Sequence, residues 1–416
     1  MTPKVKDIIE QIRHGNVPDG YKKTKAGILP ADWTVRTIDE CLERVERPVD
    51  VQADEMYTQI GIRSHGKGLF HKEPVTGESL GNKAVYWIEP DCFVLNIVFA
   101  WEQAIGKTTQ AEAGMIGSHR FPMYRPIDGK VDIDYLISYL MTKRGKDTLE
   151  AASPGGAGRN RTLGQDRFMK SKIILPTPAE QQRIAQILTT QDKAIELKEK
   201  QLTEKQRQKK YLMQQLLTGK KRLPGFSDKW LNVRANTIFK NVTDKNHNGT
   251  LEVLSATQDR GIIPRSQVDV DIKYAEESLL GYKKVAKGNF VISLRSFQGG
   301  IEYSEYDGIV SPAYTVLRAI YPIADGYYKQ FFKSVDYINR LNVAVYGIRD
   351  GKQISYEDFG RIKIPYPPLE EQKAIAAILE TADKEISLLR QDLDQEKQKK
   401  KALMQLLLTG IVRVKI

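Results

Sequence analysis

"KIILPTPAEQQRIAQILTTQDKAIELKEKQL", residues 172–202, is written again as "KIPYPPLEEQKAIAAILETADKEISLLRQDL", residues 363–393. The offset is a constant 191 without a gap, and it runs on to Thr218-Gly219 over Thr409-Gly410. About half of the paired positions are identical, among them Pro176/Pro367, Glu180/Glu371, Gln181/Gln372, Asp192/Asp383 and the closing Leu-Leu-Thr-Gly. A match of that length is a duplication, and a repeat decides the architecture before any local reading does. Working backward, Phe168 pairs with Phe359 and Leu163 with Ile354 at the same offset. Further up the match is loose: Ser118 in "GMIGSHRFPMYR" resembles Ser311 in "GIVSPAYTVLR", and Trp33 in "LPADW" resembles Trp230 in "LPGFSDKW". Each repeat is a variable, strand-rich unit of about 150 residues followed by a preserved helix of about 40.

A third fragment stands at the N-terminus, where "IIEQIRHG", 8–15, lies over "LMQQLLTG" when Gly15 is set on Gly219. The chain reads as a circle cut open, an expectation that puts the N-terminus beside the end of the C-terminal helix. The divisions expected are a completing helix at 1–20, strand-rich units at 21–175 and 221–366, and helices at 176–220 and 367–416 with a short tail.

Both helices start after prolines with acidic residues in the first turn, and both stop at a glycine suited to a left-handed cap. In the first, Ile184, Gln191, Lys198, Lys205 and Leu212 form one row at sevens, beside Leu188, Ile195, Leu202, Lys209 and Leu216. In the second the rows are Ile375, Ala382, Leu389, Glu396 and Leu403, and Leu379, Ile386, Leu393, Lys400 and Leu407. This is heptad spacing with apolar ends and a polar middle. At about 1.5 Å per residue each helix is roughly 55–60 Å long. One reading is a dimerisation coil; the other, favoured because both copies share one chain, is antiparallel pairing of the two helices as a spacer. The fold class expected is α+β: two globular strand-rich units and two long helices in an antiparallel coiled coil, with pseudo-twofold, circular symmetry.

The chain has 416 residues, a formal charge of +12 and a pI near 9.3, which favours a polyanionic partner. Its two cysteines, Cys41 and Cys92, have no Cys-x-x-Cys spacing, which fits a reducing cytosol. No apolar run reaches a membrane span; "CFVLNIVFAW", 92–101, reads as a buried strand pair, and the N-terminus has no signal-peptide core. The expectation is a soluble, cytoplasmic protein with no membrane association.

Catalytic motifs are missing. "GKTT", 106–109, has Trp101 where a phosphate-binding loop needs glycine, and "SPGGAGRNRT" has Arg161 where a dinucleotide loop needs its last one. There is no Asn/Asp-Pro-Pro-aromatic motif of the kind amino-methyltransferases use, and His14, His65, His71, His119 and His247 form no ligand pair. The units instead carry hydrogen-bond donors on loops. In the first these are Arg63, Ser64, His65, Lys67, Lys107, Thr108, His119, Arg120, Arg159, Asn160 and Arg161. In the second they are Lys245, Asn246, Gln258, Arg260, Arg295, Ser296, Gln298, Tyr314, Arg349, Lys352 and Gln353. Arg and Lys reach guanine, Asn and Gln read adenine, and Ser or Thr fit base edges or phosphates. A solvated loop charge is the alternative for any one of them; their recurrence between apolar strands in both units is the signal.

Taken together, the "PLEEQ" helix start, the "LMQ-LLTG" helix end, the linker "GYKKTKAGILPADW" and the segment "NFVISLRSFQGGIEYSEYDGIVSPAYTVLR", 289–318, resemble the specificity subunit of type I restriction–modification systems. The resemblance implies two target recognition domains, each reading half of a bipartite site in double-stranded DNA. It also implies that the helices fix the spacing of the halves and dock two methyltransferase subunits, which recruit motor–nuclease restriction subunits. S-adenosylmethionine, ATP and Mg would then bind the partners and not this chain. The base-reading residues do not carry over, because those domains diverge to change specificity. Rival readings are a stand-alone repressor, a DNA-modifying enzyme and a coiled-coil scaffold.

Overall fold

A computed structural model describes residues 3–155, 161–268, 276–344 and 354–416. The chain forms two compact units, Met1–Leu197 with Leu393–Ile416, and Lys198–Asp392. Each unit therefore contains part of both long helices, Pro178–Leu216 and Leu369–Leu407.

The first unit is built on a four-stranded antiparallel sheet in the order Ile105–Lys107, Phe93–Leu95, Met123–Pro126, Leu42–Val45. The second repeats it as Glu302–Tyr303, Phe290–Ile292, Thr315–Ala319, Phe239–Val242. Strand Thr34–Thr37 pairs with Lys172–Leu175, just before the first long helix, as Leu231–Arg234 pairs with Lys363–Tyr366 before the second. A parallel bridge joins Gln59 to Ile116 in one unit and Val253 to Ile309 in the other. That bridge sets Ser118 and Ser311, two residues further on, at the same place, so the loose sequence match has a structural counterpart. "CFVLNIVFAW" needs correction: only Phe93–Leu95 is a strand, and the chain then turns into the short helix Ala100–Glu102. Asn96 ends the strand, its side chain accepting from the Val98 N–H at 3.1 Å.

Each core is aromatic and is closed by both helices. In the first unit Trp33, Phe93, Tyr124, Tyr135 and Phe168 pack with Ile184 and Leu188 from the start of the first helix and Leu407 and Leu408 from the end of the second. In the second unit Phe239, Phe290, Tyr328, Phe332 and Phe359 pack with Ile375 and Leu379 from the start of the second helix and Leu216 and Leu217 from the end of the first. Phe168 and Phe359, paired by the repeat, are both fully buried.

The helices run antiparallel. Ascending residues of the first meet descending residues of the second: within the first unit Gln191 donates to Glu396 at 2.6 Å and Asp192 pairs with Lys400. Within the second unit Lys198 pairs with Asp392 at 2.7 Å, Lys205 with Glu385 at 2.8 Å and Lys209 with Asp383 at 2.6 Å. All the heptad-row residues named above are buried or half-buried. The polar middle of the heptads is thus a ladder of ion pairs; a polar group at a core position selects register and direction at some cost in stability. Both helices end as the glycines predict, with Gly219 at φ 70° and Gly410 at φ 74°; Gly15, the third copy of the motif, has φ 77°. Pro3–Arg13 is a helix, Ile12 shares a groove of about 820 Å³ with Met404, Leu408 and Ile411, and the Tyr21 hydroxyl donates to Gly410 O at 2.7 Å.

Candidate nucleic-acid interface

The start of each long helix carries a buried carboxylate on which its unit is assembled. Glu371, fully buried, accepts from Arg222 Nε at 2.6 Å, Arg222 Nη2 at 2.7 Å and the Trp230 indole at 2.7 Å. Glu180, also fully buried, accepts from Arg413 Nε at 2.8 Å, Arg413 Nη2 at 2.9 Å and the Trp33 indole at 2.8 Å. Both arginines are held above their ordinary pKa, chiefly by the hydrogen bond to that carboxylate. Arg413 also binds Asp32 at 2.6 Å, which lowers the Asp32 carboxyl below its usual range. The next residue repeats as well: Gln181 accepts from Asp132 N–H and donates to Pro176 O, as Gln372 accepts from Ala324 N–H and donates to Pro367 O. Glu-Gln is preserved in the repeat because it ties the helix start to the sheet pair and the neighbouring loop. The two arginines are absent from the repeat as quoted to Thr-Gly, yet Arg222 and Arg413 stand three residues past each glycine, at the same offset of 191.

In the first unit several of the candidate reading loops are hydrogen-bonded to one another. His65 N–H donates to Glu102 O at 2.8 Å, Ile97 N–H to Arg120 O at 3.0 Å, and Leu163 N–H to Ile97 O at 2.8 Å. The Ser64 hydroxyl donates to Glu102 Oε2 at 2.8 Å, and His65 has φ 61°, a left-handed conformation. Arg63 lies 4.6 Å over the Phe70 ring and Arg161 5.5 Å over the Trp101 ring. Arg63, His65, Lys67, His119 and Arg120 are exposed. Lys107 is not in this group: its ammonium is held by Asp134 at 2.9 Å. Thr108 is a correction, since it is fully buried and its hydroxyl donates to Glu89 O at 2.6 Å, locking a turn.

In the second unit Gln258, Arg260, Arg295 and Gln298 are exposed, and the glycine of the short helix Ser296–Gly299 lies against the Gln258 side chain. Ser296 is the second correction: it is 1% exposed and its hydroxyl accepts from Ser293 N–H at 2.9 Å, closing the turn that leads into that helix. Lys245 and Asn246 are exposed on a turn in which Asn246 N–H donates to Asp244 at 2.9 Å. Tyr314 is half-buried; its backbone oxygen accepts from Lys283 Nζ at 2.6 Å, and burial, with the Lys245 charge nearby, holds Lys283 below the usual lysine range. Lys283 lies on a strand, Lys283–Val285, and not on a turn, so loop position does not single it out in the sequence. Arg159, Asn160, Arg349, Lys352 and Gln353 lie outside the described residues. Among the described residues no cluster of His, Cys, Asp and Glu is placed to hold a metal, and no helix is long and apolar enough to cross a membrane. Cys41 and Cys92 are free and buried.

Duplicated sheet units with donor-bearing loops, each keyed to a long antiparallel helix pair, define a class, and comparison with known proteins names it. The type I restriction modification DNA specificity domain matches residues 30–205 and again 222–397, so the chain belongs to that family. Within it the chain is a specificity subunit, a non-catalytic component. It is 25% identical over 432 residues to the putative type I restriction enzyme MjaX specificity subunit of Methanocaldococcus jannaschii, covering 95% of this chain and 97% of that one. The MjaVIII specificity subunit of the same organism is 52% identical over 54 residues, 13% of either chain. The fold is similar to the HsdS subunit from Thermoanaerobacter tengcongensis, with a TM-score of 0.50, 18% identity, and 92% of this chain and 98% of that one covered. It is also similar to the type I S subunit from M. genitalium, with a TM-score of 0.55, 14% identity, and 90% and 96% covered.

Proposed function

We propose that the chain reads a bipartite site in double-stranded DNA, one half with each unit, and that its helix pair fixes the number of unspecified base pairs between the halves. The observation that carries this reading is the repetition of one sheet topology with different exposed donors on its loops: Arg63, His65 and Lys67 in one unit, Gln258, Arg260, Arg295 and Gln298 in the other. A shared frame with divergent loops suits two different half-sites. Arginine and glutamine on such loops can make bidentate contacts to guanine and adenine, while neighbouring lysines neutralise phosphates.

The same reading has the chain dock two methyltransferase subunits, and through them motor–nuclease restriction subunits. The duplicated helices, with their identical Glu-Gln starts and Leu-Leu-Thr-Gly ends, offer each methyltransferase an equivalent surface. S-adenosylmethionine, ATP and Mg then belong to those partners. Co-expression with a type I methyltransferase tests it: the reading expects a complex of two methyltransferases to one chain that methylates adenine in a split site. A chain that purifies alone and binds a contiguous operator would favour the repressor reading instead.

A further inference from the structure

We propose that Lys333 is a positioning residue for base reading, holding two donor-bearing loops of the second unit as a single edge. The inference rests on those loops meeting DNA, as proposed above. Lys333 follows the helix Asp325–Phe331, and its ammonium donates to Gln258 O at 3.2 Å, to Gly299 O at 2.9 Å and to the Glu302 carboxylate. The first acceptor belongs to the turn that carries Gln258 and Arg260, the second to the short helix flanked by Arg295 and bearing Gln298. An ammonium has three protons, and these acceptors account for all of them. Such a lysine is fixed in place and is not available as a mobile phosphate contact.

The surroundings are shaped for this role. Glu302 is 2% exposed, and its second carboxylate oxygen is buried with no hydrogen-bond partner, so Lys333 supplies the neighbouring counter-charge. Burial pushes the Glu302 carboxyl up, and Lys333 opposes that shift. Glycine is required at position 300, where φ is 81° and a Cβ would lie 2.0 Å from Phe332 O; a Cβ on Gly299 would lie 2.9 Å from Cγ of the exposed Gln258 side chain.

The first unit occupies the same place differently. Thr142 and Ser334 cap equivalent helices, accepting from Gly145 N–H at 3.1 Å and Tyr337 N–H at 3.3 Å, so Met141 and Lys333 correspond. There a Cβ on Gly66 would lie 2.5 Å from Met141 Sδ, and the loop is joined to its neighbour by main-chain bonds from His65 and Gly66 to Glu102 and Gln103. One unit fastens its reading edge through the backbone against an apolar side chain; the other fastens it through an ion.

The test uses the purified full chain and a pool of random-sequence DNA duplexes, scoring base preference among bound duplexes and the salt dependence of binding. Lys333→Met should lose at least tenfold preference at the positions that Arg295→Ala also alters, with the salt slope unchanged, and Lys333→Arg should recover part of it. Lys333→Met strands a buried carboxylate, so the Lys333→Met/Glu302→Gln double variant is the guard against misfolding and should show the same loss of preference. Wild-type preference in a folded Lys333 variant would overturn the proposal. So would a salt slope reduced by about one, which marks a direct phosphate contact. If Arg295→Ala and Gln258→Ala leave every preference intact, the underlying placement of these loops on DNA fails instead, and the role of Lys333 with it.

Discussion

Glu371→Gln isolates what holds a unit to its helix. The wild-type carboxylate is fully buried and accepts three hydrogen bonds, two of them from the guanidinium of Arg222, whose side chain is 26% exposed. Glutamine keeps the shape and can still accept from Trp230, but its NH₂ group presents a donor to the guanidinium. Removing one partner of a buried ion pair costs about 3–5 kcal/mol. Arg222 reaches water over part of its surface, so the low end, about 3 kcal/mol, applies. For a unit of about 200 residues each kcal/mol moves the melting temperature by about 2–4 °C, which gives a fall of about 6–12 °C. The assay is thermal unfolding followed by tryptophan fluorescence, since Trp230 itself touches the site. Glu371→Gln/Arg222→Met removes both charges and should recover part of the loss. The reasoning is refuted if Glu371→Gln costs less than about 1 kcal/mol, or if the double variant is no more stable than the single. Glu180→Gln should behave alike in the first unit.

Removing one heptad from each helix, residues 198–204 and the opposing 386–392, leaves Lys205 facing Glu385 and shortens the pair by about 10 Å. If the helices set the spacing, the preferred separation of half-sites should fall by about three base pairs in a binding selection, with the half-sites unchanged. Arg63→Ala should cost about 1–3 kcal/mol of discrimination at one position of a single half-site, read from the same selection. Gly410→Ala should destabilise the first unit by more than 1 kcal/mol in thermal unfolding, because φ is 74° and the added Cβ would lie 2.5 Å from Pro30 Cγ. Gly219→Ala, with φ 70° and a Cβ 3.1 Å from the Trp230 ring, should act similarly on the second.

The helices were legible in the sequence because they obey a period. Ile184, Leu188, Ile375 and Leu379 recur at spacings that only a helix with one buried face requires, and the duplication repeats them. The sheets were less so. Strands such as Glu302–Tyr303, two residues long, show no alternation to detect, and "CFVLNIVFAW" stays apolar past its turn although Phe99 is exposed and Val98 and Trp101 are only half-buried, so apolar character alone does not mark the strand's end. Among site residues, polarity alone misled at Thr108 and Ser296, whose hydroxyls satisfy main-chain groups inside turns. Lys333 lies outside the preserved helices, and nothing in its neighbours signals the carbonyls it binds. Arg222 and Arg413 could have been found: the offset that reveals the repeat carries three residues past the glycine.

Under the proposed function, this specificity subunit chooses where DNA is modified. Single-base mapping of methylated adenine in cells making the chain together with a type I methyltransferase tests it most directly. Methylation should be confined to a split motif, two short specified halves separated by a fixed run of unspecified positions, and lost when the chain is omitted. A single contiguous motif, or the same methylation without the chain, would contradict it.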